Sequence, residues 1–183
     1  MARISLTPPR TVFSRFVGWY SRRRYGAVME PSLAMGHHTG VLLTLGSMEM
    51  AVLRWTALDP ALKELAVMAS SSRIGCSWCM DFGYWEGVNA GVDPAKLRDV
   101  PTWRDSDRYT DLERRVMAYA EAMTTLPLEV TDEMVEQLVQ DLGERAFVEL
   151  TAIVAVENQR SRFNSALGLS SQGFKDRCEV PAL

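Results

Sequence analysis

An all-α fold, a compact helical bundle, is what this sequence predicts, and three observations carry the prediction. Apolar residues recur at helical spacing in nearly every segment. No run alternates apolar and polar residues as a half-buried strand would. Helix starts are marked repeatedly by a capping residue followed by proline, or by a capping box. In chain order, Val12, Phe13, Phe16, Val17 and Tyr20 share one apolar face, with Arg15 and Arg22 to Arg24 off it or beyond it. Such a basic amphipathic helix suits a membrane surface or, more commonly, its own core or a neighbouring subunit. Pro31 fits a first helical position and opens a segment running toward Leu58. Asp59-Pro60 caps and starts a helix from Ala61 to about Ser72. Gly75 breaks the chain, and a helix carrying Cys76 and Cys79 runs to about Asn89, with Gly91 as its stop. Asp93-Pro94 repeats the cap-and-proline start for a short helix, and residues 100–109 form a loop containing Trp103. Thr110 and Glu113 make a capping box that opens a helix from Asp111 to Thr125. Thr131 caps another that ends at Gly143, and a last long helix spans about Glu144 to Leu167. The expected organisation is a basic extension over 1–30, a helical domain over 31–170 and an extended tail over 171–183.

Composition narrows the function classes. The 183 residues are 47% hydrophobic and 23% charged, as in an ordinary globular domain. A net charge of −3 argues against a nucleic-acid partner. The first thirty residues nevertheless hold six arginines against one acid, Glu30. Three cysteines are too few for a disulfide framework, so a reducing cytoplasm is the expected location. Pro31 to Met48 is free of charge, yet its glycines, His37, His38, Thr39 and Ser47 are too polar for a membrane span. The N-terminus lacks a continuous apolar core of secretory length.

Chemistry concentrates at Cys76-Ser-Trp-Cys79, with Glu64 twelve positions ahead. Cysteines three apart on a helix share a face, with Cα atoms about 5 Å apart, inside the range a disulfide tolerates. Closing so short a loop adds little to folding, so the pair suits opening and closing rather than stapling. Gly75 suggests that the pair opens a helix, where free N–H groups favour a thiolate, and Arg73 adds positive potential. By that argument Cys76, nearer the N-terminus, is the nucleophile. Glu64 lies on the preceding helix as a candidate proton acceptor, or as a solvated residue beside Lys63. A zinc site is disfavoured, because the only histidines are adjacent and Cys178 is the only other thiol. Cys178 reads as a surface thiol, and Trp78, Phe82, Tyr84 and Trp85 as core.

Glu64, eleven intervening residues and the Cys76–Cys79 pair resemble the signature of the AhpD-like alkylhydroperoxidases within the carboxymuconolactone decarboxylase family. Leu62 to Val67 resembles the family's helix before the motif, Asn89 to Val92 the turn after it and Glu157 to Gly168 the closing helix of actinobacterial members, and the resemblance covers about residues 31–170. It implies a small all-α subunit that assembles into homo-oligomers and uses no metal or organic cofactor. It further implies peroxidase activity with a peroxide substrate and a dithiol reductant. Cys79 would meet the peroxide, Cys76 would resolve the sulfenic acid to a disulfide, and Glu64 would accept a proton through a histidine. This chain has Gly83 where that histidine belongs, and Trp78 where some members carry another. Asp81, Tyr84, His37 and His38 are the available substitutes. Two other readings share the fold: a lactone decarboxylase, which has no need of a dithiol, and a non-enzymatic redox-sensing oligomer.

Overall fold

The computed structural model describes residues 2–178. Every α-helix found among them has a sequence-encoded reason to start or stop, and no strand occurs among the described residues. The helices are α1 (Val12–Tyr25), α2 (Glu30–Met35), α3 (Thr39–Val52), α4 (Pro60–Ile74), α5 (Ser77–Asn89), α6 (Pro94–Asp99), α7 (Asp111–Thr124), α8 (Asp132–Leu142) and α9 (Glu144–Ala166). Short 3-10 helices span Val100–Asp105 and Lys175–Arg177. The chain divides into two units: Met1–Arg54 with Ala166–Leu169, and Trp55–Ser165 with Ser170–Leu183.

In the first unit, α1 opens on a capping box in which the Thr11 and Ser14 hydroxyls each accept the other's backbone N–H. The face that packs is narrower than the apolar pattern predicts. Gly18 and Ser21 are buried and Phe13, Val17 and Tyr20 half-buried, while Val12, Phe16 and Trp19 are 87%, 57% and 58% exposed. The small residues explain it: the Ser21 hydroxyl donates to the Ala27 carbonyl and accepts from Met29 N–H, holding the following loop against the helix. The segment expected to run from Pro31 toward Leu58 breaks at Gly36 to His38. There the His38 ring caps α3 by accepting from Val41 N–H, and His37 bonds the Ser5 carbonyl at 2.7 Å. Both histidines thus have local structural partners. No helix among the described residues is long and apolar enough to cross a membrane.

The second unit is built around α4, which packs against α5 and α7. Asp59 caps α4 through the N–H groups of Ala61 and Leu62, and Leu65, Ala66, Met68 and Ala69 are buried. The Thr110–Glu113 capping box forms as predicted, and Glu113 also pairs with Lys96. Residues 100–105 are a 3-10 helix rather than a plain loop, pinned by the Trp103 indole N–H donating to Glu121. Gly87 lets α5 approach Leu97 closely, since a Cβ there would lie 2.6 Å from a Leu97 methyl. Lys63 bonds Glu149 and the Trp55 carbonyl.

The C-terminal segment departs most from expectation. Rather than extending, residues 171–178 fold back, and Phe174 is completely buried. It packs edge-on to Phe82 and Trp78, whose own rings stack at 5.1 Å. Asp81, 6% exposed, holds this segment by accepting N–H bonds from Gln172, Phe174 and Lys175 at 2.8, 3.1 and 2.8 Å. Cys178 is half-buried against the core rather than a surface thiol.

Candidate functional site

The turn between α4 and α5 positions the dithiol. Gly75, at φ +80°, ends α4 in the left-handed conformation that glycine adopts without strain. The chain reverses there, and Cys76 becomes the N-cap of α5 rather than a member of the helix. Its Sγ accepts the Cys79 N–H at 3.2 Å, the bond that serine or aspartate makes at other N-caps. Both sulfurs are enclosed, with Cys76 2% and Cys79 5% exposed.

The two thiols are unequal because they share a hydrogen bond. The Cys79 S–H donates to Cys76, and this bond, opposed by burial and helped by the Cys79 N–H and by Ser161, brings the Cys76 pKa down to about 7. The same bond, then burial, then the nearby charge of Glu157 push the Cys79 thiol far up. The reduced site therefore favours a Cys76 thiolate held by a protonated Cys79.

Facing the sulfurs is a polar strip of α9 at helical spacing: Glu157, Ser161 and Asn164, all at most 2% exposed. Glu157 Oε1 accepts from the Ser161 hydroxyl at 2.6 Å and the Ser71 hydroxyl at 2.8 Å. Asn164 Nδ2 donates to Cys79 Sγ at 3.3 Å, and Arg160 approaches the second Glu157 oxygen at 3.5 Å. None of Ser71, Glu157, Ser161 or Asn164 stands out in the sequence as a site residue. The available signal is that the buried stripe of α9, Ala146, Leu150, Ile153 and Val154, continues as Glu157, Ser161 and Asn164. Polar side chains on a core-facing stripe need partners.

Glu64 occupies the edge of the same electrostatic cluster. Burial, then Glu86 and Glu157, lift its pKa to about 8 against the pull of Arg160 and Lys63, so at neutral pH it is mostly protonated. It is a proton holder there rather than a ready base. The charge common to Glu64 and to both cysteines is Glu157. A stability effect follows with a definite sign. Between the ordinary carboxylate range and pH 8 the folded state keeps a proton that the unfolded chain has released, so folding weakens as pH rises through that window. Glu64→Gln is expected to remove this decline, gaining on the parent by up to about 1.4 kcal/mol per pH unit between pH 5 and 8. Urea unfolding at pH 5, 6, 7 and 8 measures it, and parallel profiles would count against the burial of this carboxyl.

Of the substitutes considered for the absent histidine, Asp81 is committed to three backbone N–H groups. Tyr84 is buried and receives a bond from Arg98 at 3.1 Å. At position 83 itself the room is taken: a Cβ would lie 3.0 Å from Met68 Cγ, and Met68 is 1% exposed. Gly83→His is therefore expected to cost about 1–3 kcal/mol by overpacking, and pairing it with Met68→Ala to recover most of that in thermal unfolding. A single variant as stable as the parent would show that Met68 yields freely.

A cavity of about 460 Å³ opens beside this turn, between the neighbouring face of α5, at Ser77, Met80, Asp81 and Tyr84, and Arg98 and Lys175. Its size is that of a small-molecule site.

Comparison with known proteins adds relatives to this geometry. The model of the carboxymuconolactone decarboxylase family matches residues 41–122. The Escherichia coli (strain K12) protein YnjA is 31% identical over 165 residues, covering 89% of this chain and 88% of its own. Among solved structures, the debrominase Bmp8 superposes with a TM-score of 0.80 at 23% identity, covering 94% of each chain. A Bmp8 complex with 2,3,4-tribromopyrrole gives 0.81 at 22% identity over 97% of each chain. A peroxidase-related protein with an alkylhydroperoxidase AhpD core, from Ralstonia eutropha JMP134, reaches 0.86 at 17% identity over 99% of this chain and 98% of its own. At these identities the solved structures share the fold.

Proposed function

Because the chain belongs to the carboxymuconolactone decarboxylase family, we propose that it is a thiol-dependent oxidoreductase of the AhpD-like type, reducing a hydroperoxide at Cys76 and Cys79. The observation that carries this reading is the Cys76 sulfur at the N-cap of α5, a thiolate near neutral pH with a protonated thiol bonded to it. In the proposed cycle the Cys76 thiolate attacks the peroxide oxygen, the O–O bond breaks, and the protonated leaving group departs as an alcohol. Cys76 is then a sulfenic acid. Cys79 attacks its sulfur, water leaves, and the dithiol has given up, on becoming a disulfide, the two electrons that the peroxide gained. A dithiol reductant resets the pair. The resemblance gives first attack to Cys79; the pKa order favours Cys76, and the two assignments part in the variants discussed below. Glu64 joins the site as a proton store coupled to Glu157. The exposed Val12, Phe16 and Trp19 support self-association of the subunit.

A second reading rests on the likeness to the debrominase. A dithiol can also reduce a carbon–bromine bond, giving C–H, bromide and the same disulfide. Reduced protein should be supplied with dithiothreitol and, in separate arms, cumene hydroperoxide or 2,3,4-tribromopyrrole. Hydroperoxide consumption with one disulfide formed per turnover supports the first reading. Bromide release alone supports the second. Activity in neither arm, with a disulfide that still forms and reduces, returns the protein to a redox sensor.

A further inference from the structure

The disulfide cannot close until the buried Cys79 thiol gives up its proton, and the polar strip of α9 lies against that thiol, with Asn164 bonded to its sulfur. We propose that Ser161 and Glu157, on α9, are the proton relay of Cys79: the thiol proton passes to the Ser161 hydroxyl oxygen while the Ser161 proton passes to Glu157. The proposal rests on the dithiol reading above but not on the identity of the oxidant.

The hydroxyl protons of the strip support it. In the reduced site Ser161 shares its one proton between Glu157 Oε1, at 2.6 Å, and the Cys76 thiolate, whose pKa it lowers; once that sulfur is discharged the proton stays with Glu157 and the Ser161 oxygen is free to accept from a thiol. Ser161 lies one turn before Asn164, which bonds Cys79 Sγ at 3.3 Å, and it lowers the pKa of both thiols. The Ser71 hydroxyl lies 2.8 Å from the same Oε1 and shares its one proton between that oxygen and the Val67 carbonyl. In the resting dithiol the Cys79 S–H donates to Cys76. Once Cys76 carries an oxygen or a thiol adduct it is no longer an anion, and the S–H turns to its other acceptor, Ser161. Asn164 Nδ2, 3.3 Å from Cys79 Sγ, stabilises the negative charge that then develops on that sulfur. The step balances: Cys79 attacks Cys76, the S–S bond forms, the bond from Cys76 to its adduct breaks, and the proton held on Glu157 goes to the leaving hydroxide or thiolate. Ser161 is the residue that touches the reacting sulfur, and Glu157 acts through it.

Reduced protein mixed with 2-hydroxyethyl disulfide resolves the two chemical steps without any peroxide. The first 2-mercaptoethanol reports attack by Cys76, and the second reports closure by Cys79. Ser161→Ala and Glu157→Gln are each expected to lower the ratio of closure to attack at pH 7 by roughly tenfold to a hundredfold. The deficit should shrink as pH rises and hydroxide takes over the deprotonation, and Ser161→Thr should restore most of the ratio. A residue serving only the fold would slow both steps together, alongside lost helicity. A ratio within twofold of the parent in both variants overturns the relay. So does a loss in Glu64→Gln with none in Glu157→Gln, which returns the role to Glu64. A protein inert to hydroperoxides whose closure still depends on Ser161 and Glu157 would sink the peroxidase reading and leave the relay standing.

Discussion

Replacing Cys76 with serine is expected to abolish thiol chemistry at neutral pH while leaving the fold intact. Serine is among the best N-cap residues, and its hydroxyl can accept the Cys79 N–H that the sulfur accepts now. The unfolding midpoint should therefore stay within about 0.5 kcal/mol of the parent. What disappears is the thiolate. Cys79, enclosed and beside Glu157, stays protonated, so labelling by iodoacetamide at pH 7 should fall by about a hundredfold or more. Cys79→Ser should behave differently, with Cys76 reacting once and stopping as a trapped sulfenic acid or mixed disulfide. The pH dependence of labelling in the parent should have its midpoint near the value of about 7 set for Cys76. If Cys79 in the Cys76→Ser variant labelled at the parent's rate, first attack would belong to Cys79, as the family resemblance implies.

Asp81→Ala should produce the largest loss of stability. Three backbone N–H groups, from Gln172, Phe174 and Lys175, converge on this one buried carboxylate. Truncation leaves all three without their acceptor under a fully buried Phe174. Each unsatisfied buried donor costs about 1–3 kcal/mol, and solvent re-entry recovers part of it, so a loss of about 3–5 kcal/mol is expected. Detachment of the segment should also expose Trp78, whose indole N–H now donates to Gln172 at 2.8 Å. Urea unfolding followed by tryptophan fluorescence measures both, and amide exchange at residues 172–175 localises them. An unchanged midpoint would mean that Phe174 alone holds the segment.

These two residues mark what the sequence could and could not convey. The Cys76–Cys79 spacing, the Asp59 and Thr110 caps and the glycine stops are local patterns, written within a few positions, and the structure contains them close to where they were expected. The acidity order of the thiols was legible only in part. Gly75 pointed to a helix start, but making Cys76 the cap itself took the left-handed turn. The α9 strip was hidden for a different reason: Ser71 and Glu157 are 86 positions apart, and Asn164 and Cys79 are 85 apart. A serine or an asparagine in a polar-looking stretch reads as surface until the partner helix is in place. The same holds for the C-terminal fold-back. Gly173 and Phe174 look like the end of a chain until Asp81, more than ninety positions earlier, supplies the acceptor. Position 83 shows the converse, since the missing histidine was legible and the methionine filling its space was not.

The cap at Cys76 bears on which way electrons run. A thiolate that accepts the Cys79 N–H at the positive end of a helix dipole is stabilised more than a neutral disulfide sulfur in the same place would be. Forming the disulfide discharges that sulfur and leaves the first turn of α5 without its anion. Whatever stabilises the dithiol alone makes the disulfide a stronger oxidant, and a cap worth about 1 kcal/mol moves the couple by about 20 mV toward the oxidising side. The oxidised protein is thereby inclined to hand its disulfide on to another thiol, and the amide of Cys79, facing an anion in one state and a neutral sulfur in the other, keeps the record of which state it is in.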